Sequence, residues 1–155
     1  MFSGVLGSRL PRISGDHMQL DANLAALAPR LLSILRIIAA LLFLEHGTTK
    51  IFGFPQSDLS GTPLFSLFGI AGLFEIVGGM LLLIGLFSRA AAFVLSGEMA
   101  FAYFIEHAPV SFFPVNNMGD GPILFCFVFL YISAAGPGPW SLDALRTGER
   151  RAEIP

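Results

Sequence analysis

The sequence predicts an all-α, membrane-embedded four-helix bundle with its N- and C-termini cytoplasmic, and three observations carry this. First, 54% of the 155 residues are hydrophobic and 13% charged, with a mean hydropathy of +0.73. That leaves too little polar surface to coat a soluble domain, which usually carries about 25% charge. Second, of the 20 Asp, Glu, Lys and Arg residues, 11 lie in residues 1–30 and 143–155, and 9 are spread over Leu31–Leu142. Third, this middle divides into apolar stretches of membrane-crossing length, separated by turn-forming residues.

The first stretch, Leu31–Phe52, has 22 residues. At ~1.5 Å per residue it reaches about 33 Å, enough to cross a hydrocarbon core of roughly 30 Å. Leu64–Phe87 is the second and ends at the polar step Ser88-Arg89; Ala90–Ala108 is the third and is closed by Pro109. The fourth, Pro122–Ala135, is shorter and is read as a short span extending toward Trp140. Pro122 suits a first helical turn, and Gly136-Pro137-Gly138-Pro139 stops the helix. The organisation expected is therefore a cytoplasmic tail at 1–30, a four-span domain at 31–140 and a cytoplasmic tail at 141–155.

Orientation follows from Lys and Arg, which are retained on the cytoplasmic side. Arg9, Arg12 and Arg30 precede the first span, Arg89 lies between the second and third, and Arg146, Arg150 and Arg151 follow the fourth. Phe54–Pro63 and Pro109–Gly121 hold neither Lys nor Arg. The first 30 residues lack the continuous apolar region of a cleavable signal and are expected as a partly ordered tail.

A net charge of -2 gives no basic footprint, so nucleic acid is not an expected partner. The single Cys126 excludes an internal disulfide and a CxxC redox pair. No haem-attachment motif, iron-sulfur cysteine set or nucleotide fingerprint is present in the sequence, so electron transfer would need a partner or a cofactor.

Ionisable groups inside a span are costly, so each is a candidate for function. By helical rise, His46 and Glu75 fall at a common depth in the outer half of the membrane, and Lys50 lies one turn outward from His46. His46 and Lys50, at i and i+4, share a face; Glu45 projects from nearly the opposite side of the same helix. Glu106 and His107 end the third span on the same membrane side. Gly72, Gly78 and Gly79 beside Glu75 permit close helix approach. His46, Lys50 and Glu75 are thus the candidate proton-handling, catalytic set, with Glu45, Glu106 and His107 as candidate substrate-binding groups. The competing reading is a buried structural ion pair that fixes packing. Glu98 is expected to pair with Arg36 as a structural clamp, and Asp120 to cap the fourth span. Neither an ExxH nor an HxxxH spacing occurs, and no metal site is expected. Phenylalanines such as Phe68 and Phe125 could line a flat quinone pocket or face lipid.

Three motifs in order resemble those of the DoxX family of small bacterial integral membrane proteins. His46-Gly47-Thr48-Thr49-Lys50-Ile51-Phe52-Gly53 resembles its HGxxKxFG signature. Ala71–Gly79 with Gly85-Leu86-Phe87-Ser88-Arg89 resembles its AGxxExxGG and GLxxR segments, and Gly136-Pro137-Gly138 with Ser141-Leu142-Asp143 is similar to its closing GPGxxSLD element. Where the family's loop often reads NGGE, this chain has Asn117-Met118-Gly119-Asp120. The resemblance implies a multi-pass protein of the bacterial inner membrane, acting as the membrane subunit of a quinone-linked oxidoreductase system. Quinone is then the expected cofactor or substrate, and the expected partners are the lipid membrane, a soluble redox protein and, in a homo-oligomer, further copies of the chain. The rival readings are a small-solute or proton pathway and a non-catalytic membrane scaffold.

Overall fold

A computed structural model of the chain describes residues 13–148, and its regular elements there are all helical. They are α1 (Ile13–Phe52), α2 (Leu67–Ile84), α3 (Ser88–Ala102) running on into a π-helical turn (Tyr103–His107), α4 (Pro114–Asn117), α5 (Asp120–Ala135) and α6 (Leu142–Thr147). Helix α1 packs along α2, α3 along α5, and α2–α3 and α1–α5 contacts join the two pairs. Two helices, α1 from Gln19 onward and α2, are long and apolar enough to cross a membrane.

The interior and the surface are inverted relative to a soluble protein. Leu31, Ile34, Leu35, Ile38, Leu41 and Leu42 of α1, and Leu73, Phe74, Val77 and Met80 of α2, stand exposed, while Ser33, Arg36, Glu75 and Ser88 are buried. A continuous apolar exterior of this extent is what contact with lipid requires. The apolar core is small: Ala39, Ala40 and Phe43 meet Leu82, Ala92, Leu95, Met99, Phe129 and Ile132. Phe43 centres it, edge-on to Phe129 at 4.9 Å between ring centroids and tilted against Phe125 at 5.5 Å.

Small residues set how closely the helices approach. A Cβ at Gly47 would lie 2.7 Å from Ile76 Cγ1 and 2.9 Å from the Gly72 carbonyl oxygen, so α1 and α2 touch backbone to backbone there. The α2–α3 turn needs its glycine twice over. Gly85 caps α2 at φ 71°, a left-handed conformation, and a Cβ there would stand 2.4 Å from Ser141 Cβ.

The elements depart from the sequence reading at their ends. Helix α1 begins at Ile13, so residues 13–30, expected as tail, continue the first apolar helix; residues 1–12 and the basic pair Arg150 and Arg151 lie outside the described residues. Residues 141–148, also expected as tail, fold back as α6: Asp143 N donates to Gly85 O, and Ser141 and Ala144 are buried. Asp120 does not cap α5. It is the first helical residue, behind Gly119, and its side chain makes no capping hydrogen bond.

Candidate functional site

Helix length alone sorts the ionisable groups by height. Glu98 lies ten residues beyond Ser88, about 15 Å along α3, and Glu75 lies nine before Ile84, about 14 Å back along α2. Both carboxyls therefore sit at one level, far from the α2–α3 turn. Arg36 sits near that turn instead. Its guanidinium donates to the Leu82, Leu83, Pro137 and Trp140 carbonyls. The expected Arg36–Glu98 pair is not formed, because the carbonyls at the α2 C-terminus and in the Gly136–Trp140 segment are the acceptors at Arg36's height.

Glu98 instead joins the cluster at the other end. Between α1, α2, α3 and α5 lies a cavity of about 580 Å³ whose lining includes His46, Lys50, Glu75, Glu98, Glu106 and His107. Phe43, Phe68, Phe101 and Phe125 contribute aromatic wall. Lys50 Nζ donates to Glu75 Oε1 at 2.5 Å, an ion pair in which Lys50 is 8% and Glu75 2% exposed. It is the one ion pair among the described residues. The Gly47–Gly72 approach creates it: a Cβ on Gly72 would stand 3.1 Å from Lys50 Cβ, so the two helices are near enough there for the lysine stem to reach across. Glu75 Oε2 and both Glu98 carboxyl oxygens are buried with no hydrogen-bond partner.

The two histidines of the cavity are each held by a backbone carbonyl. His46 Nδ1 lies 2.9 Å from Leu42 O, and His107 Nδ1 lies 2.7 Å from Asn117 O. A carbonyl only accepts, so Nδ1 of each ring carries a proton, and Nε2 is the nitrogen left open to the cavity. His107 is held further by stacking on Tyr103, 6.5 Å between centroids at 13°. Buried Asn117 fixes the loop beneath it, donating to Ser111 O at 2.7 Å and accepting from Gly119 N at 2.8 Å.

Of the six candidate residues read from sequence, His46, Lys50, Glu75, Glu106 and His107 border the cavity. Glu45 does not; it is exposed on the far side of α1, the side on which the helical angle already placed it. Sequence reasoning missed Glu98 and Asn117 as cavity groups. The signal for Glu98 was its distance from the α2–α3 turn, which mirrors that of Glu75. Asn117 left no comparable sign. No three His, Cys, Asp or Glu side chains among the described residues are grouped to hold a metal.

A family model for DoxX matches residues 31–108, the segment that carries both His46–Lys50 and Glu75–Glu98. The chain belongs to the DoxX family. It is 43% identical over 126 residues to an uncharacterized protein of Haemophilus influenzae, covering 78% of this chain and 94% of the relative. It is 27% identical over 124 residues to the inner membrane protein YqjF of Escherichia coli, covering 72% of this chain and 88% of that protein. No solved structure matches it. This DoxX protein is a membrane protein, as its apolar exterior requires.

Proposed function

We propose that this DoxX protein is a four-span bundle of the bacterial inner membrane, with both termini cytoplasmic, and the membrane subunit of a quinone-linked oxidoreductase system. Arg36, Arg89 and Arg146 gather at the end where the α2–α3 turn, the α5 C-terminus and α6 meet, the side that retains positive charge. The opposite loops, 54–63 and 109–121, hold none. Helix α3 with its π turn runs from Ser88 to His107, 20 residues or about 30 Å, and α5 is about 24 Å long.

The observation that carries the reading is the cavity itself, in which an aromatic wall meets one lysine, three carboxyls and two histidines. Its volume and aromatic lining fit a ring-shaped headgroup, and its orphaned carboxyl oxygens call for a polar ligand. A bound quinone supplies the exchange of two electrons and two protons, the electrons passing to or from a soluble partner. The chain's own residues do the rest. Lys50 holds Glu75 in place, and His46 Nε2, Glu75 and Glu98 take up or release protons beside the ring.

The test is retention of quinone by the protein purified in mild detergent. Wild type should carry quinone, and Glu75→Gln and His46→Gln, which keep volume but abolish acid-base chemistry, should carry about tenfold less. The thermal midpoint of His46→Gln should move by a few degrees at most, whereas Glu75→Gln, which leaves Lys50 buried without its counter-charge, should fall further. A protein free of quinone that conducts protons in proteoliposomes would put the pathway reading in its place. Variants that lose stability but keep quinone and complementing activity would point to a scaffold.

A further inference from the structure

A second cleft lies at the other end of the molecule, where the α2–α3 turn, the C-terminus of α5 and α6 meet α1. It encloses about 930 Å³, and its lining includes Arg89, Arg146, Ser88, Asp143, Leu32 and Tyr131. The one acid in that lining is already engaged: the Asp143 carboxylate accepts from Phe87 N and Ser88 N and forms no ion pair with either arginine. The arginines keep donors unused. Arg89 donates to the Ser133, Ala134 and Ala135 carbonyls through Nη1 and Nη2. That leaves Nε and the second Nη2 hydrogen, the side-on fork of the guanidinium, without an acceptor among the described residues. Arg146 lies over the Phe87 ring, 5.3 Å from guanidinium carbon to centroid, so the ring takes its flat face and its N–H edges stay open. Ser88 Oγ, fully buried in the same wall, has no hydrogen-bond partner among the described residues.

We infer that this cleft is a phosphate-binding site whose occupant is the headgroup of an anionic phospholipid. The site is separate from the cavity of the quinone reading and does not depend on it. Two guanidiniums against one carboxylate leave the cleft net positive, and each guanidinium offers an N–H edge of the shape that grips two oxygens of one phosphate. Free phosphate shares that chemistry. The lipid is favoured by what lies on the membrane side of the arginines. Tyr131 is one turn in from the α5 C-terminus, Leu32 is about one turn in from Pro29, and both line the cleft. Tyr131 is also 57% exposed on the apolar exterior, so the cleft runs on into the surface that meets acyl chains. The arginines therefore stand at headgroup level with chain-binding surface beside them. A zwitterionic lipid presents the same phosphate but brings an ammonium group, which the two guanidiniums repel.

The experiment is native mass spectrometry of the full chain, delipidated in mild detergent and offered equal amounts of phosphatidylglycerol and phosphatidylcholine with the same acyl chains. The first lipid bound should be phosphatidylglycerol by about fivefold or more. Millimolar inorganic phosphate should not displace it. Arg146→Gln, an exposed change that breaks no hydrogen bond among the described residues, should weaken phosphatidylglycerol binding about tenfold and bring the two lipids to within about twofold. Arg89→Lys keeps the charge but loses the fork, and should weaken it about threefold. Equal retention of the two lipids by wild type, or undiminished selectivity in both variants, would overturn the inference. Displacement by inorganic phosphate would overturn the lipid as occupant and leave a site for free phosphate. The wild-type comparison needs no variant to fold.

Discussion

Arg36 is fully buried, and the acceptors around its guanidinium are backbone carbonyls, among them Leu82 and Leu83 at the end of α2 and Pro137 and Trp140 beyond α5. Leu82 O also accepts from Gly85 N, so one side chain satisfies the three carbonyls of Leu83, Pro137 and Trp140, which lipid could not. Arg36→Ala should destabilise the detergent-solubilised protein by about 2–4 kcal/mol, measured as a fall in thermal midpoint, because those carbonyls become orphans. Combined with Glu98→Ala the loss should be additive to within about 0.5 kcal/mol, since the two residues share no partner. Lys50 and Glu75 behave oppositely. Removing either leaves a buried charge alone, so a Lys50→Met and Glu75→Leu cycle should show coupling above about 1 kcal/mol, the double variant being less damaged than the sum of the singles. The contrast marks what sequence could teach. His46, Lys50 and Glu75 lie at depths that follow from counting residues; the partner of Arg36 depended on where a distant segment, 136–140, folds back, and no local pattern encodes that.

Helix ends here are sealed by residues from elsewhere in the chain. Arg89 donates to Ser133, Ala134 and Ala135 carbonyls at the C-terminus of α5, where the helix dipole favours a cation. At the N-terminus of α3, Asp143 accepts from Phe87 N at 3.0 Å and Ser88 N at 2.8 Å. Partial burial of Asp143 acts to raise its affinity for protons, but those hydrogen bonds and the nearby Arg146 outweigh it and hold the carboxyl below its ordinary value of 3.8. A depressed carboxyl contributes stability above its unfolded value and loses it as pH falls through the folded one. The wild type should therefore lose this increment only below about pH 4. Asp143→Asn should be less stable by about 1 kcal/mol at neutral pH, and the gap should close on acidification. The α1–α2 contact gives a second test. Gly47→Val would push a side chain into Ile76 and the Gly72 carbonyl, costing about 1–3 kcal/mol and opening the Lys50–Glu75 pair.

Across the whole molecule, charge and polarity divide the two ends. Cysteines placed at Ser57 and Ser111, in a Cys126→Ala background, should react with an impermeant thiol reagent on intact spheroplasts, and one at Thr147 should not. Reaction at Thr147 with protection at Ser57 would reverse the orientation. The helices were legible as apolar runs because lipid demands such runs over a fixed length. The start of α1 at Ile13 was not, since His17, Gln19 and Asp21 interrupt the apolar pattern without breaking the helix. Nor was the fold-back of α6, whose signal is the fit of Ser141 against Gly85.

The π turn at Tyr103–His107, closed by Ala108 N on Tyr103 O at 2.8 Å, winds more residues into its loop than an α-helical turn holds. Its surplus residue offsets everything after it by about 100° around the helix axis. Glu106 and His107 lie within this turn and line the cavity. Deleting Phe104 or Ile105 would let the segment relax to ordinary winding and swing both side chains away, with α1, α2 and the first four turns of α3 undisturbed. A change of one residue in chain length at this point would thus retune what the outer rim presents to a ligand, while the same change anywhere earlier in α3 would misalign the core against α5.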